Sequence, residues 1–130
     1  MTPTVTGLYA GLLALMLVPL SFRVIGMRYR KQIGIMDGGD REMACAMRAH
    51  GNFTEYVPLS LILMALVEIN GAPLYLVHLY GAVLVGGRAL HAFGLSRSPG
   101  ASRPRVAGMI ATFVVLISTG VTAIIQFGGT

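Results

Sequence analysis

Residues 106–127 read VAGMIATFVVLISTGVTAIIQF, without a single Asp, Glu, Lys or Arg. At 1.5 Å of rise per residue, a helix of this length crosses a hydrocarbon layer about 30 Å thick. Working outward, three more apolar runs appear. Residues 73–95 form one, opening at Pro73, which suits a first helical position, and carrying Arg88 and His91 near its end. Residues 5–22 form another. They could pass for a secretion signal, but no Lys or Arg precedes them and no small-residue cleavage site follows, so they read as a retained span. The fourth, residues 45–69, is less uniform. Gly38-Gly39-Asp40 reads as a loop ending in a helix N-cap, with Glu42 well placed in the first turn. The apolar part is 57–67, and the first half carries Arg48, His50, Asn52 and Glu55. Pro58 is expected to kink the helix.

Composition supports the same fold class. Of the 130 residues, 55% are hydrophobic and 12% charged, about half the ~25% usual in soluble domains. Mean hydropathy is +0.72. A soluble domain of this size could not hide so much apolar surface, and disorder needs the opposite composition. One cysteine excludes an intrachain disulfide framework. Three histidines and that cysteine, none at ligand-pair spacing, speak against a metal site. The expectation is one all-α domain, a transmembrane four-helix bundle.

The net charge of +5 reads as a topology signal rather than a face for nucleic acid. Arg23, Arg28, Arg30, Lys31 and Arg41 lie in the first loop, and Arg97, Arg103 and Arg105 in the third. The second loop and both tails carry no Lys or Arg. Cationic loops stay in the cytoplasm, so both termini are expected on the other side. The remaining cations, Arg48 and Arg88, lie within or beside spans. Gly7 and Gly11 form a weak small-xxx-small pair.

An ionisable group inside a span faces protein or a water-filled cavity. Arg48, Asn52 and Glu55 stand at i, i+4 and i+7 and share a helix face. Arg88 and His91 are neighbours on the third span. Arg105 opens the fourth span at the same cytoplasmic depth, and Arg23 and Arg28 close the first. An excess of guanidinium suits carboxylates, which Arg grips with a planar fork. Glu55 could hold an ammonium group, and Asn52 an amide. The implied ligand is small, mainly anionic and peptide-like, with apolar helix faces beside it for a second, lipid-borne substrate. The plainer readings are that Arg48 and Glu55 only pair with each other, and that Arg88, taken alone, snorkels to lipid phosphate. His50, His78 and Cys45 read as structural or interfacial.

The stretch Arg48-Ala49-His50-Gly51-Asn52-Phe53-Thr54-Glu55-Tyr56-Val57-Pro58 resembles the signature of the MAPEG family, membrane-associated proteins in eicosanoid and glutathione metabolism. That signature has Arg, Asn four later, Glu three later, then Pro. Gly87-Arg88-Ala89-Leu90-His91 resembles the Gly-Arg-x-x-His segment of the family's third helix. Length, four spans and orientation match as well, so the likeness covers essentially the whole chain and is nearest to the family's short bacterial branch.

The resemblance implies a homotrimer in a bacterial inner membrane, with glutathione as co-substrate bound between subunits and open to the cytoplasm. It makes Arg28, Arg48, Asn52, Glu55, Arg88 and His91 candidates for glutathione binding. It makes Arg105 the candidate catalytic residue facing the thiol. It further implies a glutathione-dependent transferase or peroxidase acting on lipophilic electrophiles. The alternative on the same fold is a non-catalytic protein that binds lipid-like ligands. A small multidrug-type transporter is the remaining four-span class, but its essential Glu belongs in the first helix, where this chain has none. The chain also departs from several family enzymes. Gly51 stands where they have a second Arg, and Leu95 and Met109 where some have Tyr. Ser96, Ser98 and Ser102 are left as hydroxyl candidates.

Overall fold

The computed structural model describes residues 2–97, 100 and 102–129. They form four helices: α1 (Thr4–Lys31), α2 (Arg41–Ile69), α3 (Leu74–Arg97) and α4 (Arg103–Gly128). All four are long and apolar enough to cross a membrane. Three of the apolar runs lie inside one of them, and the run 73–95 starts one residue ahead of its helix, with Pro73 just before the first helical residue, Leu74. Two helices outrun their apolar stretch. α1 continues past Phe22 to Lys31, and α2 begins at Arg41. The hydrocarbon sets the minimum length of a span, whereas caps set where the helix stops. α2 starts where Asp40, in extended conformation, accepts the Met43 amide at 2.7 Å. It runs through Pro58 as one continuous helix.

The connection between α1 and α2 is held by charge and by backbone geometry. Lys31 reaches Asp40 at 2.7 Å and Glu42 at 3.0 Å. The Lys31 ammonium beside it, together with the Met43 amide, holds the Asp40 carboxyl below its ordinary value. Gly38 and Gly39 have φ of 59° and 76°, a region that costs other residues steric strain. Arg28 closes the turn by donating to the carbonyls of Ile33 at 3.3 Å and Met36 at 3.1 Å.

Packing differs on the two sides of the bundle. α3 and α4 are brought together at glycines. A Cβ on Gly87 would sit 2.8 Å from Ala111 Cβ, and one on Gly108 would strike Gly87 O and lie 2.6 Å from His91 N. A Cβ on Gly94 would lie 2.7 Å from Arg105 N. Small residues here let the backbones approach closely. α1 packs on α2 and α3 through larger side chains, with Leu13, Phe53, Val57, Met64, Val67, Val77 and Leu84 in the core. Between α1 and α2 a cavity of about 250 Å³ remains, walled by Ala10, Leu13, Ala14, Leu17, Phe53, Thr54, Val57, Pro58 and Leu61. Outside the bundle many of the exposed side chains are large and apolar. On α1 these include Leu8, Leu15, Phe22 and Tyr29, each two turns from the last. A soluble surface would not carry such a face; hydrocarbon or another apolar protein surface accommodates it.

At the end of the bundle away from the basic loops, helix ends satisfy one another. Pro3 stands at the N-cap of α1 and gives no side-chain cap. Glu68, fully buried near the end of α2, accepts from the amides of Val5 at 2.9 Å and Thr6 at 2.8 Å, and from the Thr6 hydroxyl at 2.7 Å. It caps α1 from a different helix. Gln126 of α4 donates to Val67 O at 3.1 Å and so closes the end of α2.

Candidate functional site

The polar residues at the end of the bundle that carries the basic loops resolve into a buried knot and a surface cleft. The knot is centred on Arg88, which is 1% exposed. Its Nη2 donates to Asn52 Oδ1 at 2.6 Å and to His91 Nδ1 at 3.3 Å. Because guanidinium only donates, His91 Nδ1 is the acceptor and Nε2 carries the ring proton. Arg88 Nη1 reaches Thr112 Oγ1 at 3.3 Å and Met109 Sδ at 3.8 Å. The guanidinium carbon lies 5.8 Å from the Phe53 ring centroid, within cation–π range. Arg88 therefore does not snorkel. It turns inward because α2, α3 and α4 all supply acceptors there, and because Gly87 and Gly108 bring α4 close enough for Thr112 to reach. No carboxylate of the described residues pairs with it.

The face shared by Arg48, Asn52 and Glu55 is divided in the folded chain. Asn52 points into the bundle, to Arg88. Arg48 and Glu55 stay outside and pair at 3.3 Å, with side chains 58% and 49% exposed. At about 100° per residue, Asn52 stands roughly 40° to one side of Arg48 and Glu55 roughly 20° to the other, so Asn52 is at the edge of the arc that crosses from surface into core.

The cleft lies one turn above the knot. It measures about 160 Å³ and is lined by Arg41, Ala44, Cys45 and Arg48 of α2, Leu95 of α3 and Arg105 of α4. Arg48 and Arg105, separated by most of two helices in sequence, share this one cavity. Leu95, where some MAPEG enzymes carry a tyrosine, forms part of its wall, and Met109 packs on Arg88. Arg105 Nη1 also donates to Gly100 O at 3.4 Å. The Ser102 hydroxyl is buried without a hydrogen-bond partner among the described residues. Ser96 accepts from Arg23 at 2.8 Å, and Ser98 lies outside the described residues. Arg28 lines neither cleft nor knot. It anchors the first loop and borders a separate pocket with Tyr29, Gln32, Ile33 and Gly34. His50 bonds Ser21 at 3.1 Å and His78 bonds Tyr9 at 3.2 Å, each joining two helices. Cys45 is a half-buried free thiol.

Three residues escaped the sequence reading. Glu68 carried a signal, as the one acid in the apolar second half of α2. Thr112 carried none, since a lone threonine in a span is unremarked until its partner is known. Arg41 was absorbed into the topology count.

Four apolar helices enclosing an arginine-centred polar knot, with a cationic cleft at one end, define a multi-pass integral membrane protein. Residues 6–125 match the MAPEG family. The chain also aligns with the inner membrane protein YecN of Escherichia coli K12, at 41% identity over 113 residues, 87% of this chain and 85% of that one. The same figures hold for YecN of Escherichia coli O6:H1. The chain belongs to the MAPEG family.

Proposed function

We propose that this protein binds glutathione in the cleft at the cytoplasmic end and uses its thiol on lipophilic electrophiles, as a membrane-bound transferase or peroxidase of the family's short bacterial branch. The observation that carries the reading is the meeting of Arg48 and Arg105 in one cavity. These two guanidiniums suit the carboxylates and the developing thiolate of a small acidic thiol peptide. A cation beside a thiol favours its ionised form, which assigns Arg105 the catalytic role. Glu55 is placed to take the ammonium group in exchange for Arg48. Arg88, Asn52 and His91 act from behind, as a rigid floor that fixes α2, α3 and α4. Arg28 serves the site through the loop it holds. Positioning and thiolate stabilisation supply the catalysis.

The same reading makes the protein a homotrimer with both termini outside the cytoplasm. The E. coli relatives are named inner membrane proteins, and we assign this chain to that membrane. A second reading, lipid binding without chemistry, is favoured by one observation. The α1/α2 cavity is almost wholly apolar, while the cleft wall offers Leu95 in place of a phenol.

Calorimetry of glutathione with the detergent-solubilised protein separates the two. Saturable binding, lost in Arg48→Ala and Glu55→Ala, together with conjugate formation or hydroperoxide reduction above the buffer rate, supports the enzyme. Folded wild-type protein that binds a fatty acid but not glutathione supports the second reading.

A further inference from the structure

The wall of the gap between α1 and α2 contains an acceptor whose helical donor is missing. α2 continues as a helix through Pro58. Proline has no amide hydrogen, so the carbonyl of Thr54, four residues earlier, loses its partner in the helix. Thr54 and Pro58, the two residues that bracket this carbonyl, both line the α1/α2 cavity. No side chain of the lining supplies a replacement donor. The one hydroxyl there, that of Thr54, already donates to Gly51 O at 2.9 Å. The other lining residues are Ala, Leu, Val, Phe and Pro.

The cavity also lies at the depth where water is scarcest. Its α1 wall runs from Ala10 to Leu17, centred on the middle of the apolar run 5–22. A backbone carbonyl in hydrocarbon depends on protein or ligand for its partner, because solvent brings none. Small residues draw α3 and α4 together at their glycines, whereas Ala10 and Ala14 leave about 250 Å³ open against α2. A dry apolar cavity of about 150 Å³ admits benzene, so this one has room for a run of several methylenes. Its complementary occupant is hydrocarbon on both sides of one hydrogen-bond donor. That occupant is uncharged where it sits, since no ionisable residue lines the space.

We propose that the α1/α2 cavity binds an acyl chain that carries a hydroxyl group partway along its length, with the hydroxyl donating to Thr54 O. Such a chain has its polar group near the middle of the bilayer, where lipid tails offer it no acceptor and the cavity offers one. The site is separate from the cationic cleft and shares no residue with it. It rests on the lipid-binding reading of this cavity and narrows the ligand to one chemical class.

The test gives the detergent-solubilised protein three neutral esters and measures bound ester by native mass spectrometry. They are methyl stearate, methyl 12-hydroxystearate and methyl 2-hydroxystearate. Wild type binds the 12-hydroxy ester about fivefold more tightly than methyl stearate, the effect of one added hydrogen bond. The 2-hydroxy ester gains nothing, because seating its hydroxyl on Thr54 O presses the ester group against hydrocarbon. In Pro58→Ala the restored amide takes up Thr54 O, and the 12-hydroxy ester and methyl stearate bind alike. Ala14→Phe fills the gap and binds none of the three, while its thermal melt shows a folded protein.

A 12-hydroxy preference that survives Pro58→Ala, or that the 2-hydroxy ester matches, overturns the proposal. So does ester binding that Ala14→Phe leaves intact. Equal binding of all three esters by wild type, lost in Ala14→Phe, also overturns it but leaves the lipid-binding reading of the cavity standing. Folded wild type that binds none of them removes both.

Discussion

Asn52 is where a ligand-binding role and a structural role give opposite results. In the folded chain it accepts the shortest bond of a buried cation, 2.6 Å from Arg88 Nη2. Asn52→Ala strips that bond and leaves Thr112, His91 and Met109 as longer, neutral partners. A hydrogen bond to a charged group contributes about 1.5–3 kcal/mol, and fully unpairing a buried ion costs about 3–5 kcal/mol. Because the remaining partners stay in place, a loss of about 2–3 kcal/mol is expected. That corresponds to a fall in Tm of roughly 10 °C for a chain of this size. Asn52→Asp keeps the shape and puts a carboxylate against the guanidinium, so its Tm should match or exceed that of wild type. Thermal melts of the helical circular dichroism signal in detergent, alongside glutathione calorimetry, read both effects. An Asn52→Ala protein that melts like wild type and has merely lost ligand binding would refute the reasoning, since Asn52 would then serve the ligand rather than Arg88.

Three further outcomes follow from the same geometry. Glu68→Ala leaves two amides and a hydroxyl of the first turn of α1 without their acceptor. At about 3 kcal/mol together, hydrogen exchange at Val5 and Thr6 should quicken roughly a hundredfold, while α4 amides stay unchanged. Gly108→Ala drives a methyl into Gly87 O and His91 N. It should cost about 1–3 kcal/mol of stability, read as a lowered Tm, and make Cys45 more open to alkylation as the α3/α4 corner opens. The Asp40 carboxyl is held below its ordinary value in the folded chain. Its contribution is therefore complete at neutral pH and is lost as pH falls through that lowered value, in strongly acidic buffer. Exchange in residues 32–40, corrected for intrinsic rates, should rise there, and Asp40→Asn should show the same rise at pH 7.

Much of the fold was legible because bilayer thickness imposes one requirement on every span. Four runs of sufficient length, two basic loops and the Asp40 cap were enough to place four helices. The ends of α1 and the division of the Arg48/Asn52/Glu55 face were not legible. Helical spacing gives angles around one axis, but it does not say which angle meets a neighbouring helix. The snorkelling reading of Arg88 fails for the same reason. From α3 alone it is a cation near a helix end, free to reach lipid phosphate. Only the closeness of α4, permitted by Gly87 and Gly108, brings Thr112 and Met109 to it and makes the interior the better solvent. Glu68 was readable as an expensive intramembrane acid, though two of its three partners are backbone amides, which leave no mark in the sequence.

The glycine seam also divides the molecule mechanically. Where Gly87, Gly94 and Gly108 bring α3 and α4 into backbone contact, there is no layer of side chains to shear, so the two helices move as one body. On the opposite flank, α1 rests on α2 across an unfilled apolar gap, with Ala10 and Ala14 on one side and Thr54 and Pro58 on the other. Compliance is concentrated there. A hydrocarbon chain pressing on the protein from the bilayer meets a wall on one flank and a hinge on the other. Any opening toward the lipid on that flank passes along Phe53, whose ring also faces the Arg88 guanidinium, so the gap and the knot share a wall.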